Sequence, residues 1–271
     1  MIIVQLIGGL GNQLFQYAMA RRISIINNEP LKLNIFPFQQ YKLHNYSLKH
    51  FNIVENYATI EEINALFAAG RVIREPYFHF DPQILNAPGD VYLDGYWQTE
   101  KYFKDIEETI RTEFLITTPS ELMDLVVANK IMGCNSISLH IRRVDYVTNP
   151  DANKIHGVCS MEYYREAIIK MTSVIHEPHF YIFSDDIKWA QENVNIDYPT
   201  TFVSQNGPDK NYEDLRLMSL CKHHIIANST FSWWGAWLST NKNKIVIAPN
   251  RWFNATDKDT KDVIPENWFA I

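Results

Sequence analysis

Residues 137–146 read Ile-Ser-Leu-His-Ile-Arg-Arg-Val-Asp-Tyr, a largely apolar run that ends in paired charges. Ile137 to Ile141 alternate loosely between apolar and polar, the period of a half-buried strand. Two arginines follow at once. Neighbouring side chains on a strand point to opposite faces, so Arg142 and Arg143 serve one partner only if the strand stops there. The stretch predicts a strand whose carboxyl end delivers a guanidinium into a crevice, the place where open α/β sheets bind ligands. A planar guanidinium fork suits a phosphate, to which it donates two parallel hydrogen bonds. Taken alone, the same residues also describe a strand end with two solvated arginines, one of them paired to Asp145.

The segments that follow give this strand end company. Phe180 to Phe183 reads as a strand, with Ser184, Asp185 and Asp186 at its carboxyl end. His224 to Ala227 reads as another, followed by Asn228, Ser229, Thr230 and Ser232 before an apolar helix. If these strands run parallel, three polar clusters meet on one sheet edge, which looks like a ligand site. Each cluster fits a nucleoside diphosphate. Arg142 brings charge to a phosphate. Ser229 to Ser232 lie where a helix N-terminus cradles an anion. Asp185 or Asp186 can take the two N–H donors on guanine's edge or a ribose diol. N-capping of the helix from Ile187 is the competing role for the aspartates.

The N-terminal half repeats the pattern. Ile2 to Leu6 reads as a buried strand, followed by Gly8, Gly9 and Gly11 in a tight turn and then a helical run from Leu14. Strand, Gly-rich turn and helix make the entry to a Rossmann-like unit. The turn lacks a third glycine at the dinucleotide spacing and a Lys-Ser/Thr pair, so neither a dinucleotide fingerprint nor a P-loop is present. That weighs against an NAD-dependent oxidoreductase. Gly9, Gly11, Asn12 and Gln13 are candidates for a site loop. For Asn12 and Gln13 two readings stand: a helix cap, or a polar pair facing the crevice. Thr59 with Glu62 predicts a capping box, and Ser160 a cap for the helix from Met161. Strands alternate with helices throughout, which predicts α/β architecture with parallel sheets. The boundary between halves is expected at the break after Met132, giving domains 1–132 and 133–271.

Composition bounds the function. Of 271 residues, 46% are hydrophobic and 21% charged, a globular balance. The net charge of −6 argues against a nucleic-acid partner. Three cysteines without CxxC spacing give neither a disulfide framework nor a zinc site, and reduced thiols in a cytoplasmic protein are the expectation. No apolar run approaches the ~18–20 residues of a membrane span, so any membrane association is expected to be peripheral, on the inner face. Asp257-Lys258-Asp259 has the DxD form of metal-dependent glycosyltransferases, but no strand precedes it. It reads as solvated loop, and no metal or other cofactor is expected.

Five stretches together resemble the bacterial α-1,2-fucosyltransferases, glycosyltransferase family 11: Gly8-Gly-Leu-Gly-Asn-Gln-Leu-Phe-Gln-Tyr17, Gly95-Tyr-Trp-Gln-Thr-Glu-Lys-Tyr-Phe103, His140-Ile-Arg-Arg-Val-Asp-Tyr146, Phe183-Ser-Asp-Asp186 and Asn228-Ser-Thr-Phe-Ser-Trp-Trp-Gly-Ala-Trp-Leu238. The resemblance covers nearly the whole chain, in order. The chain departs from it at Val144, where the family usually has Gly, and mildly at Thr230, where Ser is common. The resemblance implies a GT-B fold of two facing Rossmann-like domains, with GDP-β-L-fucose held by the C-terminal one and the acceptor served by the N-terminal one. It implies inverting transfer of fucose to the 2-hydroxyl of a terminal galactoside on an oligosaccharide. It also implies that Arg142 contacts the pyrophosphate and that His140 and an aspartate of the 184–186 cluster recognise guanine.

The residues add a mechanism. Without a metal, fixed donors must stabilise the departing GDP, a role assigned to Arg142 with help from Ser229 and Ser232. Arg143 is expected to pair with Asp145. For the acceptor hydroxyl, Asp145, His156 and Asn12 are the candidates, with Asn12 favoured as an orienting residue. A GDP-sugar- or glycan-binding protein without catalysis is the alternative from another class.

Overall fold

The computed structural model describes residues 1–41, 43–144, 150–255 and 258–271. These residues form two compact units, Met1–Thr118 with Lys258–Pro265, and Pro119–Asp257 with Glu266–Ile271. The division falls at Thr118, not after Met132. The physical reason is the helix Leu122–Met132, whose Val127 and Ile131 pack into a cluster with Leu217 and Met218 of the second unit.

The first unit holds β1 (Ile2–Gln5), α1 (Leu10–Asn27), β2 (Leu31–Asn34), α2 (Ile60–Ala68), β3 (Val72–Arg74), β4 (Val91–Asp94) and α3 (Glu107–Glu113). Its strands form a parallel sheet in the order β2-β1-β4-β3. Strands β1 and β4 are nearly continuous apolar runs and are buried, as the central strands of a covered parallel sheet must be. Helix α2 opens with the expected capping box: Thr59 Oγ1 accepts from the Glu62 N–H at 3.2 Å and Glu62 Oε2 from the Thr59 N–H at 3.0 Å.

The second unit holds α4 (Leu122–Met132), β5 (Asn135–Ile141), α5 (Pro150–His156), α6 (Met161–Thr172), β6 (Pro178–Ser184), α7 (Ile187–Asn193), β7 (Thr200–Phe202), α8 (Asn211–Leu220), β8 (His223–Ile225), α9 (Thr230–Leu238), β9 (Val246–Ala248) and β10 (Phe269–Ala270). All its described strand pairs are parallel, in the order β10-β9-β8-β5-β6-β7. In chain sequence this is the doubly wound order 3-2-1-4-5-6 of a Rossmann unit. The connection reverses direction between β5 and β8, so a crevice opens beyond their carboxyl ends. Ser160 caps α6 as expected, accepting from the Tyr163 N–H at 3.1 Å.

Helices α8 and α9 pack closely because Gly235 lies against Met218. A Cβ at Gly235 would come within 2.4 Å of Met218 Sδ and 2.8 Å of its Cγ. Gly235→Ala is expected to destabilise the protein by about 1–3 kcal/mol through overpacking, read as a lower urea midpoint. An unchanged midpoint would mean that Met218 swings aside at no cost.

Candidate active site

The carboxyl edge of the second sheet is built from three strand ends in register. Ile141 on β5 pairs with Ser184 on β6, which sets Arg142 and Arg143 opposite Asp185 and Asp186. Asp185 closes the turn. Its Oδ1 accepts from the Arg143 N–H at 2.8 Å and its Oδ2 from the Val144 N–H at 3.1 Å, while Arg142 Nε lies 3.3 Å from Oδ2. The carboxylate thus fixes both the backbone after β5 and the direction of the Arg142 side chain. Val144 is not among the described non-glycine residues with left-handed φ, so the turn tolerates a β-branched residue there.

Asp186 takes the capping role. It caps α7, its Oδ1 accepting from the Trp189 N–H at 3.2 Å. Its own N–H donates to Ser184 Oγ at 3.0 Å. The expected partner of Arg143, Asp145, lies outside the described residues. The Arg143 guanidinium lies 3.7 Å from the centre of the Trp189 ring, with Nε 3.7 Å from Asp186 Oδ2. Trp189 was not singled out by its sequence position. The available signal was its place three residues beyond the capping Asp186, on the first turn of α7.

His140 is buried on β5, with its ring centre 5.7 Å from that of Phe231 and no partner for Nδ1. Burial, and then the Arg142 charge, push its pKa down from 6.5 to about 3. The ring is therefore neutral near pH 7 and can both donate and accept at a base edge. Below the ordinary value the unfolded chain takes up a proton that folded His140 refuses, so this residue lowers stability as pH falls from about 6.5 towards 3.

At the end of β8 the polar cluster divides. Asn228 is a structural hub: its Nδ2 donates to the carbonyls of His156, Gly157 and Trp252 at 2.9, 3.2 and 3.2 Å, and its Oδ1 accepts from Cys159 Sγ at 3.3 Å. Ser232 is fully buried, and its hydroxyl donates to the Ser229 carbonyl at 3.2 Å. These contacts hold loops and the first turn of α9, which corrects the expectation that both side chains face a ligand. Ser229 is the N-cap of α9 without a side-chain hydrogen bond to the helix, and Thr230 begins it. The first turn of α9 thus presents backbone donors beside the β5–β8 crevice, the arrangement that favours an anion.

The first unit has its own crevice, between β1 and β4, where its strand order reverses. Gly8 takes a left-handed φ of +85°, and a Cβ there would lie 2.7 Å from Asn12 Nδ2. Gly9 is the N-cap of α1 and Gly11 is already inside the helix, so the cap reading of Asn12 fails. Asn12 instead accepts from Gln98 Nε2 at 3.1 Å. Gln13 is fully buried and engaged by backbone: it donates to the Gly8 and Asn45 carbonyls, both at 2.9 Å, and accepts from the Ser47 N–H at 2.9 Å. It pins the 45–47 loop to the glycine turn.

Of the charged tail, Asp257 lies outside the described residues. Asp259 pairs with Lys261 at 3.0 Å. Among the described residues no three His, Cys, Asp or Glu side chains converge as metal ligands, and no helix is long and apolar enough to cross a membrane.

The pattern described as Glycosyl transferase family 11 matches residues 1–271. The chain belongs to glycosyltransferase family 11. This family 11 enzyme is 35% identical to an α-1,2-colitosyltransferase of Escherichia coli, over all of its own length and 98% of the relative's. It is 34% identical to the O-antigen biosynthesis glycosyltransferase WbnK of Escherichia coli, over 93% of this chain and 94% of that one. Its fold is similar to that of the NodZ α-1,6-fucosyltransferase crystal soaked with GDP-fucose, with a TM-score of 0.51 at 12% identity over 88% of this chain and 92% of that one. The family 11 chain is thus a glycosyltransferase of the GT-B class, built from two Rossmann-like units.

Proposed function

We propose that this glycosyltransferase moves L-fucose from GDP-β-L-fucose to the 2-hydroxyl of a terminal galactoside on a surface glycan, with inversion and without a metal. The observation that carries the reading is the β5–β8 crevice, where Arg142, held by Asp185, stands at the strand end next to the first turn of α9, whose N-cap Ser229 makes no side-chain hydrogen bond to the helix. Both suit a pyrophosphate. Neutral His140 lies one residue before the strand's last position and suits a base edge.

Chemically, the acceptor oxygen forms a bond to C1 of fucose as the C1–O bond to the β-phosphate breaks. The electron pair of that bond leaves with GDP, and the acceptor's proton passes to the departing β-phosphate oxygen or to water. Positive charge builds at the sugar ring and negative charge on the phosphate. Arg142 and the α9 N–H groups stabilise the latter. Asn12, in the first unit, orients the acceptor hydroxyl as a hydrogen-bond partner and not as a base, since an amide does not take up a proton near pH 7.

A second reading of the donor has a specific basis, the full-length match to a colitosyltransferase. Colitose is fucose without the 3-hydroxyl, so the two donors share GDP, the ring hand and the 6-methyl group. The decisive experiment offers GDP-fucose and GDP-colitose in parallel over a panel of β-galactosides, with product linkage and anomer read by NMR. An α-1,2-fucosyl product supports the reading. Transfer from GDP-colitose alone overturns the fucose assignment, and GDP binding without any transfer favours a binding protein. Transfer is expected to proceed undiminished in excess EDTA. Loss of activity restored by Mn²⁺ or Mg²⁺ would overturn metal independence.

A further inference from the structure

Two segments leave the first sheet at its β1–β4 crevice: the glycine turn before α1, and residues 95–98 after β4. They are tied together. Gln16 Nε2 donates to the Gly95 carbonyl at 3.1 Å while its Oε1 accepts from the Ile7 N–H at 3.0 Å. Gln98 Nε2 donates to Asn12 Oδ1 at 3.1 Å. From the other side, one residue beyond β3, the Glu75 carboxylate accepts from the Tyr96 N–H at 2.7 Å and the Trp97 N–H at 2.9 Å.

The turn so held is unusual. Trp97 is fully buried with a left-handed φ of +56°. A bulky side chain in that region is strained and persists only where the surroundings impose it; such residues cluster at ligand sites. Gly95 is obligatory here, since a Cβ would come within 2.4 Å of Glu75 Cβ. Gln98 is buried and its Oε1 has no hydrogen-bond partner. A buried acceptor left unpaired calls for a donor from outside the protein.

We propose that Glu75 is the positioning residue of the acceptor side: its ionised carboxylate holds the 95–98 turn in the form that sets Gln98 against Asn12, and this amide pair meets the acceptor hydroxyl. The inference rests on the reading of Asn12 given above. Glu75 reaches no reacting atom itself.

The charge on Glu75 then controls the clamp. Burial and the nearby Asp94 raise its pKa, the two N–H donors and Lys258 oppose them, and the balance lies at about 7. The phenols of Tyr96 and Tyr102 also feel its charge. Ionised, the carboxylate accepts both N–H groups. Protonated, one oxygen becomes a donor and faces an N–H. The competent form is the ionised one, so acceptor use is lost as pH falls through about 7.

The test uses the full chain and two readouts. The indole N–H resonance of Trp97, identified by its loss in Trp97→Phe, is followed by NMR as pH is varied. It is expected to titrate near neutrality in the wild type and to be flat in Glu75→Gln. In parallel, kcat/KM for a β-galactoside is expected to fall about tenfold per pH unit on the acid side in the wild type. In Glu75→Gln it should be roughly tenfold lower at high pH and lack that limb, with KM for the donor unchanged and partial rescue in Glu75→Asp. A wild-type Trp97 that does not titrate, or an acid limb that persists in Glu75→Gln, overturns the proposal. Should the glutamine variant not fold, a shifted Trp97 midpoint in Glu75→Asp supports it and an unshifted one overturns it. A titrating Trp97 with no transfer from either donor supports the clamp and overturns the functional reading alone.

Discussion

Arg142→Ala is expected to lower transfer by roughly 10²–10³-fold while leaving the fold intact, because in the proposed function Arg142 supplies one fixed donor to the leaving phosphate. The argument is electrostatic. As the glycosidic bond breaks, charge accumulates on the pyrophosphate, and a preorganised guanidinium stabilises it without reorganising. Arg142 is preorganised by the 3.3 Å approach of its Nε to Asp185, and its side chain is only 22% exposed. Lysine keeps the charge but not the fork, so Arg142→Lys should recover only part of the rate. The fall should appear mainly in kcat, since the interaction strengthens in the transition state. Near-normal turnover in Arg142→Ala would remove it from the leaving-group role.

Asp185→Ala is expected to cost nearly as much, on the order of 10²-fold in kcat/KM, for a different reason. It strands the N–H groups of Arg143 and Val144 and releases the Arg142 guanidinium. Stability should drop by about 1–3 kcal/mol as well, as unsatisfied donors are left at the strand end. The family resemblance offers another role, recognition of guanine by a carboxylate. The two roles separate cleanly with IDP, which lacks the exocyclic amine of guanine. A brace weakens GDP and IDP binding together and preserves their ratio. A guanine reader in Asp185 loses the preference for GDP selectively. Calorimetry of both nucleotides on wild type and variant gives the ratio, and loss of discrimination would return Asp185 to base recognition.

These two residues also show how far the sequence could be read. The element order was legible because period-2 and period-3.6 patterns alternate along the chain. The polar strand ends were legible because polar residues just past an apolar run mark the point where a buried strand leaves the core and meets solvent or a ligand. The capping box at Thr59 and the cap at Ser160 are local, and both form as expected. What could not be read is the division of labour inside each cluster. Whether Asp185 or Asp186 braces or caps depends on the β5–β6 register, which joins residues 42 positions apart. Asn228 becomes a hub because His156, Gly157 and Trp252 arrive beside it, and Gln13 is claimed by the 45–47 loop. Glu75 gave no signal at all, since its partners are the backbone of Tyr96 and Trp97. The same limit moved the domain boundary. Helix α4 is short and its partner α8 is remote in sequence, so its allegiance to the second unit was invisible locally.

The last stretch of chain is shared between the units, residues 258–265 entering the first and 266–271 the second. Synthesis runs from the amino end, and domains commonly fold as they emerge. Here the first unit waits for residues made some 140 positions after its main body ends at Thr118. The edge strand β10 and the Trp252 carbonyl that Asn228 holds arrive equally late. The second crevice therefore matures late: a ribosome stalled before residue 250 would display the first sheet with all four strands made, beside a second sheet whose β9 edge is bare and whose Asn228 lacks one carbonyl partner.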